Sequence, residues 1–226
     1  IGRITTAGDI TEYSLSTPSS NPIGITTGPD GRLWFAAAGA NQIGQINTSG
    51  EIHTRLLPTD NSFPYFFAVG PDNRIYFTQA GDHQIGRIEV AEADEAITDY
   101  PLPTQSLPLN LTSGPDNALW FTNQSFNKIS RMSLSGDVTD YTVPTVSSNP
   151  VGITAGPDDA LWFTERSANK IGRITTSGSF LEYDLPSGGG PWGIVAGPDD
   201  ALWFTESTGN KIGRITTSGT ITEYAI

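Results

Sequence analysis

The chain holds two histidines, His53 and His83, and no cysteine. Imidazole is the side chain whose ordinary proton affinity suits general-base work near neutral pH, so these two bound that chemistry. His83 stands in Asp82-His83-Gln84, where a displaced base and a plain solvated loop residue are both readable. His53 falls in what reads as an outer strand. No Gly-x-Ser-x-Gly elbow is present for a serine nucleophile. The absence of cysteine excludes disulfides, thiolate chemistry and Cys-ligated zinc. Glu165 and Glu206 each close a Phe-Thr-Glu run. They read as partners of Lys170 and Lys211 or of Arg173 and Arg214, or as two carboxylates within reach of one cation. Three aromatics, Tyr65, Phe66 and Trp192, fall where Gln79, Asn123, Glu165, Arg166 and Glu206 also gather. Aromatic faces beside polar groups suit a sugar ring or a flat ligand, although the same aromatics could pack between strands. Trp192 follows Gly188-Gly189-Gly190-Pro191, a loop with little else to bury it.

What positions these residues is a repeat. Gly-Pro-Asp begins at Gly28, Gly70, Gly114, Gly156 and Gly197, at spacings of 42, 44, 42 and 41. An apolar-aromatic run follows each, as in Leu33-Trp34-Phe35 and Leu161-Trp162-Phe163. An IGRI-like run comes next, and each unit closes on a segment like Ile10-Thr11-Glu12-Tyr13. One unit therefore reads as four short strands, A to D. Between A and B, Pro29-Asp30-Gly31 supplies Pro at the first corner of a type I turn, then a left-handed position. Asn73, Asn117, Asp159 and Asp200 take that position in the other units, being the non-glycine types that tolerate it best. Gly8, Gly50, Gly136, Gly178 and Gly219 serve the C–D turns. The second unit instead carries an acidic insertion, Glu89 to Ala96, which predicts a longer and more mobile hairpin.

Successive residues of a strand point to opposite faces, so Trp34 opposes Leu33 and Phe35. Large apolar groups on both faces mean that both are covered, as when blades stack. Four strands in about 40–45 residues fit a propeller better than other repeat classes, and no helical periodicity is present. The expected fold is all-β, a β-propeller of four-stranded antiparallel blades. It forms one domain over 1–226, divided into a half blade at 1–15 and blades at 16–57, 58–102, 103–143, 144–185 and 186–226. The count is uneven. Five A–B pairs face six C–D hairpins, because Ile1 to Tyr13 is a hairpin without its own A and B. Its sequence, IGRITTAGDITEY, nearly repeats the last hairpin, IGRITTSGTITEY. The chain reads as part of a six- or seven-bladed ring, as a five-bladed ring whose spare hairpin pairs with a neighbour, or as two ends joined by further sequence. An unpaired hairpin exposes a strand edge that invites intermolecular pairing.

A formal charge of −12 repels polyanions, which argues against nucleic acid and anionic membranes as partners. The sequons at Asn47, Asn110 and Asn123 permit glycosylation if the chain is secreted. An acidic, Lys-poor, Cys-free makeup rich in Thr, Ser, Gly and Asn favours an extracellular location, with the cytoplasm left open.

The segment NKIGRITTSGSFLEY at Asn169 to Tyr183, preceded by GPDDALWFTE at Gly156 to Glu165, resembles the repeat of the streptogramin (virginiamycin B) lyases. The likeness extends over essentially the whole chain. It implies a propeller whose strands A line a central channel. In that family a seven-bladed ring opens a lactone antibiotic by Mg²⁺-dependent elimination, which needs a general base and a metal supported by carboxylates. The family's catalytic histidines follow the Pro that opens strand A. Ile23, Tyr65, Leu109, Val151 and Trp192 occupy those positions here, and none is a base at neutral pH. Before that Pro, where the family places an acid, stand Asn21, Phe63, Leu107, Asn149 and Gly190. The expectation is therefore a non-catalytic propeller that binds a partner, copies of itself first, or a glycan or small molecule at the channel mouth. No catalytic or metal-ligating residue and no cofactor is assigned to it. The alternatives are a lyase-like enzyme with a rearranged site, with Mg²⁺ as its cofactor, and a carbohydrate-binding propeller centred on Trp192.

Overall fold

The protein is described from a computed structural model, over residues 1–90 and 96–226. Among these residues it forms five four-stranded antiparallel sheets and one two-stranded hairpin, each sheet a simple meander with strands in the order A-B-C-D. Blade 4 typifies them, with strands Pro150–Ala155, Ala160–Glu165, Lys170–Thr175 and Phe180–Asp184. Blade 5 follows with Pro191–Ala196, Ala201–Glu206, Lys211–Thr216 and Ile221–Ala225. The N-terminal hairpin, Gly2–Ile4 with Ile10–Glu12, is the half blade expected from the sequence. Strands A of consecutive blades abut one another and so line the propeller axis. The central part of the acidic insertion, 91–95, lies outside the described residues.

Each repeated residue has a structural task. In the A–B turn the Gly156 N–H donates to the Ala160 carbonyl, and Asp159 takes φ 55°. Asp158 accepts from the Trp162 indole at 2.9 Å and from Arg173 at 2.7 Å. Burial pushes the Asp158 carboxyl up, yet those two donors outweigh it and leave the group below the usual carboxylate range. Gly172 has no side chain because a Cβ there would stand 2.1 Å from the Phe163 ring. Gly178 combines φ 91° with the Tyr141 ring of the preceding blade against its α-carbon.

The two-faced strands stack as their sequence implies. Trp162 of blade 4 is fully buried against Leu202, Phe204 and Ile215 of blade 5. Trp120 meets Leu161, Phe163 and Ile174 in the same way, and Trp34 meets Ile75, Phe77 and Ile88. The tryptophan face of one blade thus packs on the Leu-x-Phe face of the next. Truncating such a residue costs about 3–5 kcal/mol in typical cores.

A register shift follows the Pro of every strand A, for example between Pro150 and Ile153. This bulge turns two backbone groups out of the ladder. The Gly152 N–H donates to Thr164 Oγ1, and the Val151 carbonyl accepts from Thr122 of the blade before. Thr78 reaches the Leu109 carbonyl and Thr164 the Trp192 carbonyl likewise. The threonine after the Phe of strand B, at Thr78, Thr122 and Thr164, is therefore the polar rivet between blades.

Candidate ligand site at the channel mouth

The mouth is built by the loops entering strand A and the turns leaving strand B. In blade 4 these are joined, since the Arg166 N–H donates to Asn149 and the Ser167 N–H to Ser148. Arg166 is exposed, and its guanidinium lies 4.7 Å above the centroid of the Trp192 ring. Trp192 is 38% exposed. Its backbone is fixed by the Thr164 hydroxyl, so the indole is presented from a rigid bulge. Face and guanidinium together offer a flat apolar platform flanked by hydrogen-bond donors. Tyr65 and Phe66 are half-buried, and Phe66 packs against the cluster of Tyr76, Leu111 and Phe121.

The four polar residues expected beside these aromatics are elsewhere. Gln79, Asn123, Glu165 and Glu206 are 1%, 2%, 0% and 2% exposed. Each ends strand B on the face that looks toward the preceding blade, beneath the loop that enters strand A. The Gln79 amide donates to Asp99 at 2.6 Å. Asn123 accepts from the Leu107 N–H and donates to Ser106. That burial also removes Asn123 from the surface where a glycan would attach. Asn47 instead sits in a C–D turn with its amide on Glu51, and Asn110 lies half-buried in a strand A. The expected pairing of these glutamates with arginine is corrected too, because Arg173 and Arg214 turn to Asp158 and Asp199. Lys170 pairs with Asp184, and Lys211 with Glu223.

His83 takes φ 58° in the B–C turn and its Nδ1 meets the Ser106 carbonyl at 2.5 Å. Asn41, Asn127 and Asn169 hold the matching left-handed position in other blades. Each clamps the loop that leads into the next strand A, Asn127 for instance donating to the Val143 and Thr145 carbonyls and accepting from the Ser148 N–H. His83 is thus the clamp of blade 2. This recurrent Asn, two residues before the Ile-Gly or Ile-Ser of every blade but the second, was visible in the sequence as a repeat signal. His53 is exposed on an outer strand with Glu51 3.7 Å away. Among the described residues no three His, Cys, Asp or Glu side chains converge as a metal site.

An apolar cleft lies away from the mouth. About 420 Å³ opens on the outer face of blade 5, lined by Gly193, Ile194, Val195, Trp203, Thr205 and Ile212 among others.

Residues 1–106 match the model of the virginiamycin B lyase family. The chain is 46% identical to virginiamycin B lyase from Staphylococcus aureus, with a TM-score of 0.94 over 100% of this chain and 76% of that one. A catalytically inactive histidine-to-alanine form of that enzyme with quinupristin matches at 45% identity, TM-score 0.94, over 100% and 76%. A streptogramin B lyase structure matches at 41% and 0.93, over 100% and 75%. No curated protein sequence matches the chain.

Proposed function

The chain belongs to the virginiamycin B lyase family, and from that premise we propose that it recognises a cyclic lactone of the streptogramin B class at Trp192 and Arg166 without supplying the proton-transfer group itself. The observation that carries this reading is the Arg166–Trp192 pair. Trp192 occupies the first residue after the Pro of strand A, where the family likeness expects a histidine, and Arg166 reaches over it from the turn leaving strand B of blade 4. An indole stacks on a flat ligand and a guanidinium donates to carbonyl acceptors, but neither takes a proton from carbon at neutral pH. Calorimetric titration with quinupristin tests it. Binding without a ring-opened product is expected, with affinity lost in Trp192→Ala. Elimination leaves the ligand's mass unchanged, so chromatography must accompany mass spectrometry. Ring opening that disappears in Trp192→Ala would sink the non-catalytic reading.

The 46% identity to a lyase favours a second reading, in which the same platform orients the lactone for Mg²⁺-dependent elimination. In that case Mg²⁺ raises the melting temperature, since a ligand that binds only the folded state stabilises it.

The open face of blade 5 supports assembly with a second copy. Val195 is 59% exposed there, and Thr205 accepts from the Gly193 N–H but reaches no carbonyl of another blade among the described residues. Sedimentation should show a concentration-dependent oligomer that Val195→Lys dissociates. A monomer at all concentrations would reject self-assembly.

A further inference from the structure

The row of residues that closes strand B changes its charge from blade to blade. In blade 2 Gln79 pairs across to Gln84, and Asp99 stands beside Gly86. The amide of Gln79 satisfies the half-buried Asp99 directly. In blade 3 the row holds Asn123 and Lys128, and Lys128 reaches Asp140 at 2.8 Å. Blade 5 carries Glu206, Lys211 and Ala225 in register. Lys211 there turns inward to Glu223 and the Ser187 hydroxyl. Blade 4 carries Glu165, Lys170 and Asp184 in the same register, with Glu182 beside Gly172. Among the five four-stranded sheets described, only here does an acid end strand D, and it draws Lys170 outward, 3.1 Å from an Asp184 that is 82% exposed.

Glu165 is fully buried with neither carboxylate oxygen hydrogen-bonded, a state that Glu206 of blade 5, 2% exposed, shares; Glu165 differs in that Lys170 is drawn away from it. Its charged neighbours are Lys170 on strand C and Glu182 on strand D; the loop packed over it offers Ser148, which is uncharged. Glu182 is already committed, accepting from the Thr145 N–H and hydroxyl at 2.9 and 2.8 Å. An ionised carboxylate with no donor is costly to bury. Among the described residues no third His, Cys, Asp or Glu side chain joins Glu165 and Glu182.

We propose that Glu165 is kept as a neutral carboxylic acid at neutral pH and that its proton is the latch beneath the loop entering blade 4, released as the medium becomes alkaline. The inference stands whether or not the mouth binds a lactone. Burial first, and the Glu182 charge second, push the Glu165 carboxyl up to about 8, with Ser148 and Lys170 opposing. The folded chain then holds a proton that the unfolded chain has lost between the ordinary glutamate value and about 8. Stability contributed in this way is complete in acid and falls as pH rises through that window. On release, Glu165 gains the charge that draws Lys170 back from Asp184. The loop over Glu165 carries Ser148 and Asn149, which pin the turn bearing Arg166, so the mouth is coupled to the latch.

Thermal unfolding of the whole chain between about pH 5 and about pH 10 tests this. The wild-type melting temperature should fall relative to Glu165→Gln up to about pH 8 and then run parallel to it. The variant should melt higher in alkali, because its amide copies the Gln79–Asp99 bond of blade 2. An infrared band of a protonated carboxyl should be present in the wild type at neutral pH and lose intensity in Glu165→Gln, any remainder belonging to the similarly buried Glu206. Asp184→Asn frees Lys170 to turn inward, as Lys211 does, and should shrink the alkaline loss even if Glu165→Gln folds poorly. Parallel pH curves for wild type and Glu165→Gln, or no protonated-carboxyl band, would overturn the proposal. So would Mg²⁺ or Ca²⁺ stabilising the wild type but not Glu165→Gln, which would put a cation where we place the proton.

Discussion

Blades 4 and 5 are nearly the same sequence in different surroundings. Both read Ala-Leu-Trp-Phe-Thr-Glu in strand B and Lys-Ile-Gly-Arg-Ile-Thr in strand C. Their registers match residue for residue. Yet Trp162 and Thr164 are sealed, while Trp203 is partly open and Thr205 is exposed. The local bonds of the tryptophan survive the difference. Trp203 still donates to Asp199 at 3.0 Å and still stacks on Tyr224 at 5.8 Å, as Trp162 does on Asp158 and Tyr183. A blade is therefore a self-sufficient hydrogen-bonded unit, whereas its stability is made at the contact with the next blade.

The largest effect that can break this comparison is at the tryptophans. Trp162→Ala should cost about 3–5 kcal/mol, since it empties a closed site against Leu202, Phe204 and Ile215. Trp203→Ala removes the same local bonds but leaves no enclosed cavity, and should cost about half as much or less. Chemical denaturation of both variants measures the gap. Equal losses would mean that the intrablade contacts, rather than stacking, hold each sheet.

Much of this was legible before any coordinates. The spacing of Gly-Pro-Asp, the left-handed residues of the turns and the apolar residues on both faces of strand B fixed the repeat as a four-stranded blade. Those signals are local, and local signals survive in one sequence. The polar residues of the mouth were legible by type but not by place. Phe-Thr-Glu puts its glutamate at the end of a strand, which suggests a loop face; only the crossing loop that packs over it shows that Glu165 is buried. Likewise, the pairing of Lys170 turns on Asp184, fourteen residues away and adjacent only through strand register. The bulge after each Pro left no trace in composition, because its two freed groups belong to the backbone.

The same bulge sets the smaller test of the comparison. Thr164 Oγ1 accepts from the Gly152 N–H at 2.8 Å and donates to the Trp192 carbonyl at 2.8 Å. Thr164→Val keeps the shape and deletes both bonds in a buried site, leaving a donor and an acceptor unpaired. Such losses run to about 1–3 kcal/mol. Thr205 makes only the first of these bonds, to the Gly193 N–H at 3.0 Å, and water can replace it at an exposed position. Thr205→Val should therefore fall within about 0.5 kcal/mol of the wild type. The Trp192 carbonyl freed in Thr164→Val belongs to the residue that presents the ligand platform, so that variant should also weaken quinupristin binding, and Thr205→Val should not. If both valine variants lose equal stability, the threonine acts within its own strand pair and the rivet between blades is not what holds Trp192 in place.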